Sequence, residues 1–246
     1  MSIDGVSSIW DELFGAQPDP PSLLVLVTAV IALAAVAVRP VWRVARNAVT
    51  IAHEGGHAFV ALLTGRRLRG IRLEFDTSGL TLSAGRPTGP GMIFTLMAGY
   101  IAPSLVGLAG AWILGGNRIT LLLWLAIGLL LLMLINIRNV FGVVSLLVTG
   151  ALVFAVSWYA SPQVQAAFAY TGVWFLLIGG VRPVGELQKL RRRGRMPESD
   201  ADQLAHLTRV PAVMWVFLFY LVTVAVLVIG AFMLAGQWLP ELSAAD

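Results

Sequence analysis

The chain has 246 residues, of which 58% are hydrophobic and only 12% are charged. A soluble domain would carry roughly twice that charged fraction, so an ordinary soluble domain is excluded. The formal net charge of +4 does not indicate nucleic-acid binding, because the basic residues lie in short segments between apolar runs and aromatic residues are not interleaved with them. The absence of cysteine excludes disulfides and thiolate metal sites.

Seven apolar segments predict membrane-spanning helices, since a bilayer core requires about 20 apolar residues. They are 22–38, 47–64, 91–114, 119–135, 139–159, 166–181 and 211–236. Residues 1–21 form an acidic N-terminal tail, 22–236 a single transmembrane domain, and 237–246 a C-terminal tail. The first tail has four acids and no base, unlike a cleaved secretory signal, so we expect the first apolar segment to be retained.

The distribution of basic residues predicts the orientation. Thirteen Lys and Arg residues fall in the loops 65–90, 136–138 and 182–210, against four in the loops of the other side. Basic loops face the cytosol, so these loops and the N-terminus are predicted to be cytosolic and the C-terminus outside. We expect a multi-pass protein of a bacterial-type plasma membrane.

Two segments between the apolar runs are distinctive. Residues 69–85 alternate apolar and polar side chains on either side of the turn sequence 76–79, which predicts a β-hairpin. In the basic loop 182–210, Ser199 is a predicted N-cap of a short helix. The predicted fold class is therefore an all-α polytopic membrane protein of about seven transmembrane helices, with a small β-hairpin on the cytosolic side.

The second apolar segment contains an HExxH motif, formed by His53, Glu54 and His57. Positions four apart share one face of a helix, so the two imidazoles can bind one metal ion. Glu54 can then accept a proton from a water molecule on that ion. Ionisable side chains are costly inside a membrane segment and indicate function there. The alternative interpretation is a structural histidine pair.

A catalytic zinc site usually has a third protein ligand. The candidates on the predicted cytosolic side share a carboxylate or an imidazole. They are Glu74, Asp76, Glu186, Glu198, Asp200, Asp202 and His206. Spacing alone does not choose among them.

The order of motifs resembles the site-2 protease family of intramembrane zinc metalloproteases, and in particular its M50B-like branch. The similarity extends from about 45 to 215 and includes HEGGHAFVALLTG, GIRLEFDTSGLTLSAG, AGYIAPSLVG, the RN pair at 138–139 and the SDA sequence at 199–201. Better-known members supply the third ligand from an LDG-type motif. No LDG occurs here, and the SDA sequence is the matching element.

The resemblance implies a Zn2+ ion held by His53, His57 and Asp200, with Asp202 or His206 as the alternative third ligand. It implies a zinc endopeptidase in which Glu54 activates the zinc-bound water. The substrate would be a membrane protein or a membrane-anchored peptide cut in or near its spanning segment, within the lipid bilayer. No oligomeric state is indicated.

Several roles remain open. Asn136, Arg138 and Asn139 are candidates for lining the cavity or binding the transition-state oxyanion, with a polar turn as the alternative. The hairpin is a candidate for binding an extended substrate by strand addition, or for capping the bundle. Two other functions are a non-proteolytic binding or scaffold protein with a vestigial metal site, and a metal or proton transporter.

Overall fold

The computed structural model describes residues 15–194 and 199–236, which form eight helices and one two-stranded antiparallel sheet. In chain order they are α1 (Ser22–Ala37), α2 (Arg39–Leu63), β1 (Arg67–Leu73), β2 (Gly79–Ala84), α3 (Pro90–Gly115), α4 (Ile119–Leu134), α5 (Val140–Tyr159), α6 (Pro162–Arg192), α7 (Asp200–Thr208) and α8 (Ala212–Ala235). The predicted helical fold with a small hairpin is confirmed. The predicted C-terminal tail lies outside the described residues, and so do residues 1–14 of the predicted N-terminal tail.

Four helices are long and apolar enough to cross a membrane: α3, α5, α6 and α8. The pair α1 and α2 passes the same test together, but the two helices are bent by 102° at the break between them. Helix α4 is apolar but has only 16 residues. The chain is therefore an integral membrane protein with four candidate spans in its described part, or five if the bent pair is one span. The predicted count of about seven is not confirmed.

The difference arises at Val38, which has extended backbone angles and separates α1 from α2. The segment 47–64 was predicted as a separate span, whereas α2 already begins at Arg39, with Pro40 in its first turn. Its buried side chains include Glu54 and His57 among apolar residues, so α2 carries ionisable groups on its inner face. Because of the bend, α2 does not return antiparallel to α1.

A polar cluster fastens this bend to α6. The Arg182 guanidinium donates to the carbonyl of Val36, in the last turn of α1, and lies 4.7 Å from the centre of the Trp42 ring. Glu186 accepts hydrogen bonds from Arg182 and from the Trp42 indole, both at 3.0 Å. Arg46 lies 3.5 Å from the same carboxylate. The direction of α2 therefore depends on contacts with a helix more than a hundred residues later.

Helices α3 and α6 pack antiparallel at small residues. Gly107 of α3 faces Leu177, and Gly110 faces Val173, so that positions further along α3 meet earlier positions on α6. The beginning of α3 and the end of α6 consequently lie at one end of the bundle, which we call the site end. Helix α8 begins next to α7 at the site end and runs antiparallel to α6.

The hairpin also lies at the site end. Ile71 of β1 forms a bridge with Ile137, donating its N–H to the carbonyl of Asn136 at 2.8 Å and accepting from the N–H of Arg138 at 2.9 Å. Ile71 and Leu73 are buried in a cluster with apolar residues of α2, α4 and α5. The connection between α4 and α5 is thereby placed next to the hairpin.

The N-terminal segment lies at the other end of the bundle. The backbone N–H of Gln17 donates to the carbonyl of Asn117 at 2.9 Å, and its side chain donates to Thr120 at 2.9 Å. These partners belong to the connection between α3 and α4, remote from the site end. The predicted placement of the N-terminus on the side of the hairpin is therefore not supported. Among the described Lys and Arg residues, Arg118 alone lies at this end.

This arrangement predicts that the N-terminal segment shares a membrane side with Arg118 and not with the hairpin. The natural chain has no cysteine, so single-cysteine variants report position directly. In sealed right-side-out vesicles, a membrane-impermeant maleimide should label Ala16→Cys and Arg118→Cys, because the basic site end is expected to face inward. Ser78→Cys, in the hairpin turn, should be labelled only after permeabilisation. Labelling of Ala16→Cys and Ser78→Cys under the same condition would restore the seven-span topology.

Candidate metal centre

The HExxH motif lies on α2, and the helical spacing brings its two histidines together. The Nε2 atoms of His53 and His57 are 3.1 Å apart, and the two rings meet edge to face with their centres 4.7 Å apart. His57 is buried and His53 is half-buried. Both side chains therefore present a metal-binding nitrogen to the same point in the interior.

Asp200, the first residue of α7, completes a triangle of donor atoms. Its Oδ2 lies 3.4 Å from Nε2 of His53 and 3.3 Å from Nε2 of His57. Ligand atoms at tetrahedral positions, about 2.0–2.1 Å from a zinc ion, lie about 3.3–3.4 Å from one another. The triangle thus fits an ion with three protein ligands and a fourth position for water or substrate. Among the described residues, no other cluster of His and acidic side chains has this arrangement.

Helix α3 orients His57 and makes room for both imidazoles. Nδ1 of His57 lies 2.7 Å from the carbonyl oxygen of Thr95. A carbonyl only accepts hydrogen bonds, so Nδ1 carries the proton and the lone pair of Nε2 faces the triangle. One turn later, a Cβ atom at Gly99 would overlap the imidazoles of His53 and His57. Neither Thr95 nor Gly99 was predicted from the sequence to belong to the site. The only sequence signal was that Gly99 is a glycine inside an apolar helix.

The start of α7 is tied to the end of α6. Ser199 is the N-cap, as predicted, and its hydroxyl accepts from the N–H of Asp202 at 3.3 Å. Arg191 donates to both oxygens of the Asp202 carboxylate, from Nη2 to Oδ1 at 2.7 Å and from Nε to Oδ2 at 3.1 Å. The Ser199 hydroxyl donates to Oδ2 at 2.5 Å. Such charge-assisted bidentate pairs are the strong ones. Asp202 therefore positions the turn that carries Asp200 and is not itself in the triangle.

The carboxylate of Asp200 is kept in the form that binds a metal. Burial by itself raises the pKa of this carboxyl, but the adjacent His57 and His53 imidazoles have the opposite effect and hold its pKa below the usual range. A carboxylate must be deprotonated to bind a metal, so Asp200 is in its ligand form at neutral pH.

Glu54 is buried against the hairpin, with 3% of its surface exposed. Its Oε2 accepts a hydrogen bond of 2.6 Å from the hydroxyl of Thr81 on β2. On the other side of α2, the ring of Tyr100 lies edge-on to His53, with the centres 4.8 Å apart, and stacks on Phe219. The motif is thus enclosed by β2 and by the first half of α3.

The remaining predicted site residues lie elsewhere. The side-chain amide of Asn139 bonds both the N–H and the carbonyl of Leu73, at 3.3 and 2.6 Å, while Arg138 and Asn136 donate to carbonyls of their own turn. These are the contacts of a polar turn, and an oxyanion role for the three stays a prediction. His206 is exposed on α7. Of the other ligand candidates, Glu74, Asp76 and Glu186 are not in the triangle, and Glu198 lies outside the described residues.

A protein-family model described as Peptidase M50B-like matches residues 26–230, which include both the HExxH motif and α7. The chain belongs to the M50B-like peptidase family. Searches of curated proteins and of solved structures gave no significant match. The resemblance inferred from the motifs is confirmed, and M50B-like membership agrees with an integral membrane protein that acts on membrane substrates.

The contacts of Asp202 predict that its loss would weaken zinc binding in this M50B-like chain without abolishing it. Asp202→Ala removes the partner of Arg191 and loosens the start of α7, so zinc affinity should fall about 3- to 30-fold, as for loss of one charged hydrogen-bonded partner. His206→Ala is the matched control on the same helix and should bind zinc normally. Competition with a chromophoric chelator measures both. Complete loss of zinc in Asp202→Ala would make Asp202 a ligand.

Proposed function

We propose that the protein is an intramembrane zinc metalloprotease that hydrolyses peptide bonds in or near membrane-spanning segments. His53, His57 and Asp200 would hold the Zn2+ ion, and Glu54 would be the general base. The observation that carries the proposal is the triangle of donor atoms, with edges of 3.1–3.4 Å, beside a buried glutamate in an M50B-like chain. The site end, with the hairpin, would face the cytosol of a bacterial-type plasma membrane.

In this proposal the zinc ion, Glu54 and His57 have different roles in peptide hydrolysis. A zinc ion, when bound, lowers the pKa of a coordinated water towards about 7 and polarises the scissile carbonyl. Glu54 accepts the proton of the attacking water and then delivers it to the leaving amide nitrogen. His57 keeps its metal-binding lone pair directed inward through its bond to Thr95. Enclosure by β2 and α3 limits access of bulk water to the reacting groups.

The hairpin supplies a binding edge for the substrate. A membrane helix must be unwound before cleavage, because its peptide groups are bonded internally. Strand β1 is paired with β2 on one side and with Ile137 on the other. The edge left for an added strand is therefore that of β2, the strand that touches Glu54. A membrane protein or membrane-anchored peptide extended along β2 would pass next to the metal ligands.

The other two functions have less support. A transporter requires polar groups across the bilayer, and α3, α5 and α8 contain no charged residue and no histidine. A vestigial site would have no reason to keep three donor atoms at metal-binding separations.

Metal analysis tests the ligand assignment. The purified protein should hold about one zinc ion per chain, as a three-ligand catalytic site does. His57→Ala and Asp200→Ala should each lose most of it, because two protein ligands bind zinc far more weakly than three. His206→Ala serves as the control. A folded Asp200→Ala variant with full zinc affinity would place the third ligand elsewhere.

Substitution of the base separates metal binding from catalysis. Glu54→Gln should retain zinc, since Glu54 is not a ligand, and should lower kcat by about 10²–10⁴-fold or more, the contribution of general-base catalysis. The assay is cleavage of a membrane-anchored reporter by the protein in proteoliposomes, with the metal content measured on the same sample. Cleavage at the wild-type rate by Glu54→Gln would reject the proposed mechanism.

A further inference from the structure

We propose that Thr81 is a positioning residue for Glu54, so that the strand that binds the substrate also holds the general base in place. This inference rests on the proposed function and adds a residue to it. The side chain of Thr81 and the carboxylate of Glu54 belong to different elements, β2 and α2, and are joined by a short hydrogen bond.

The geometry gives the hydroxyl one main acceptor. Oγ1 of Thr81 lies 2.6 Å from Oε2 of Glu54 and 3.2 Å from the backbone carbonyl oxygen of the same residue. A hydroxyl has a single proton, and the shorter contact to a charged acceptor is the stronger one. The hydrogen bond therefore fixes one carboxylate oxygen, Oε2, and does not engage Oε1.

Backbone pairing fixes the position of Thr81. It lies opposite Ile71 in the antiparallel register, and Ile71 is 1% exposed and bonded on its far side to the connection between α4 and α5. Its neighbours along the strand, Leu80 and Leu82, are exposed. Because side chains alternate along a strand, Thr81 faces α2 while the two leucines face outward. The hydroxyl is thus presented to Glu54 by a rigid support.

The other side of the carboxylate is bounded by Gly79. A Cβ at that position would overlap Oε1, Cγ and Cδ of Glu54, so the glycine leaves space that the carboxyl group fills. One helical turn before Glu54, the hydroxyl of Thr50 donates to the carbonyl of Thr77 at 2.8 Å and anchors the hairpin turn on α2. Strand β2 therefore restrains the side chain of the base, and the hairpin turn is bonded to the helix that carries it.

Loss of the hydroxyl would free the carboxylate without removing a metal ligand. Thr81→Val keeps the shape of the side chain, so the packing against α2 is preserved. The buried carboxylate of Glu54 would then lack its hydrogen-bond donor and move towards other polar groups or water. A displacement of about 1 Å in a catalytic group can cost about 100-fold in rate. Substrate binding along the edge of β2 uses backbone groups and is unaffected.

The experiment compares Thr81→Val, Thr81→Ser and the control Thr149→Val in the full chain in proteoliposomes. Thr149 lies on α5, and its hydroxyl donates to the carbonyl of Ser145 at 2.8 Å, not to a residue of the motif. Thr81→Val should lower kcat about 10- to 100-fold, with zinc content and KM within about twofold of wild type. Thr81→Ser, which restores the donor, should recover most of kcat, and Thr149→Val should match wild type. In a Glu54→Gln background, Thr81→Val should have no further effect.

The outcomes separate this inference from the proposed function. An unchanged kcat in Thr81→Val, with Glu54→Gln inactive, would overturn the positioning role and leave the protease assignment intact. Failure of Thr81→Ser to recover kcat, or loss of zinc in Thr81→Val, would indicate packing and equally overturn it. Activity in Glu54→Gln would instead reject the proposed mechanism itself.

Discussion

The contact between the Asp200 carboxylate and the two imidazoles of α2 is the interaction on which the rest of the site depends. It joins helices that are distant in the chain, at a place where burial makes an unpaired charge costly. A cation held between the three side chains would compensate that charge. The close approach requires Gly99 on α3, because any side chain there would occupy the space of the rings. The triangle therefore constrains α2, α3 and α7 at once.

The bend between α1 and α2 explains how a polar helix is accommodated in a membrane protein. If α2 ran antiparallel to α1 across the bilayer, its polar residues would lie at several depths in the apolar core, each at a cost. Its turn of 102° keeps them at the site end, covered by the hairpin and by α3 and α6. Because α2 does not cross the membrane as a separate span, all the described basic residues except Arg118 lie at the site end. The difference in positive charge between the two ends is therefore larger than the sequence predicted.

Local patterns in the sequence predicted the parts of the site that depend on local geometry. The four-residue spacing placed His53 and His57 on one face, alternation gave the hairpin, and Ser199 was the expected N-cap. Asp200 was chosen by family resemblance, since spacing left seven candidates. The predicted direction of α2 was wrong, because that direction depends on the contact of Arg182, far along the chain, with the end of α1. Contacts between helices, such as that of Thr95 with His57, leave no periodic pattern in the sequence. They can be identified only once the packing of the helices is known.

Three residues of the site are held by different neighbouring elements. His57 is oriented by α3, Asp200 by the capped start of α7 and its link to α6, and Glu54 by β2. An isolated α2 would carry the complete HExxH sequence but none of this preorganisation, and its two histidines would lack a third ligand. Because the supports come from both halves of the chain, the reactive geometry forms only when the bundle is complete. Under the proposed function, such an arrangement would make hydrolysis conditional on folding. The hydrogen bond between β2 and Glu54 would extend that dependence to the strand along which a substrate would lie.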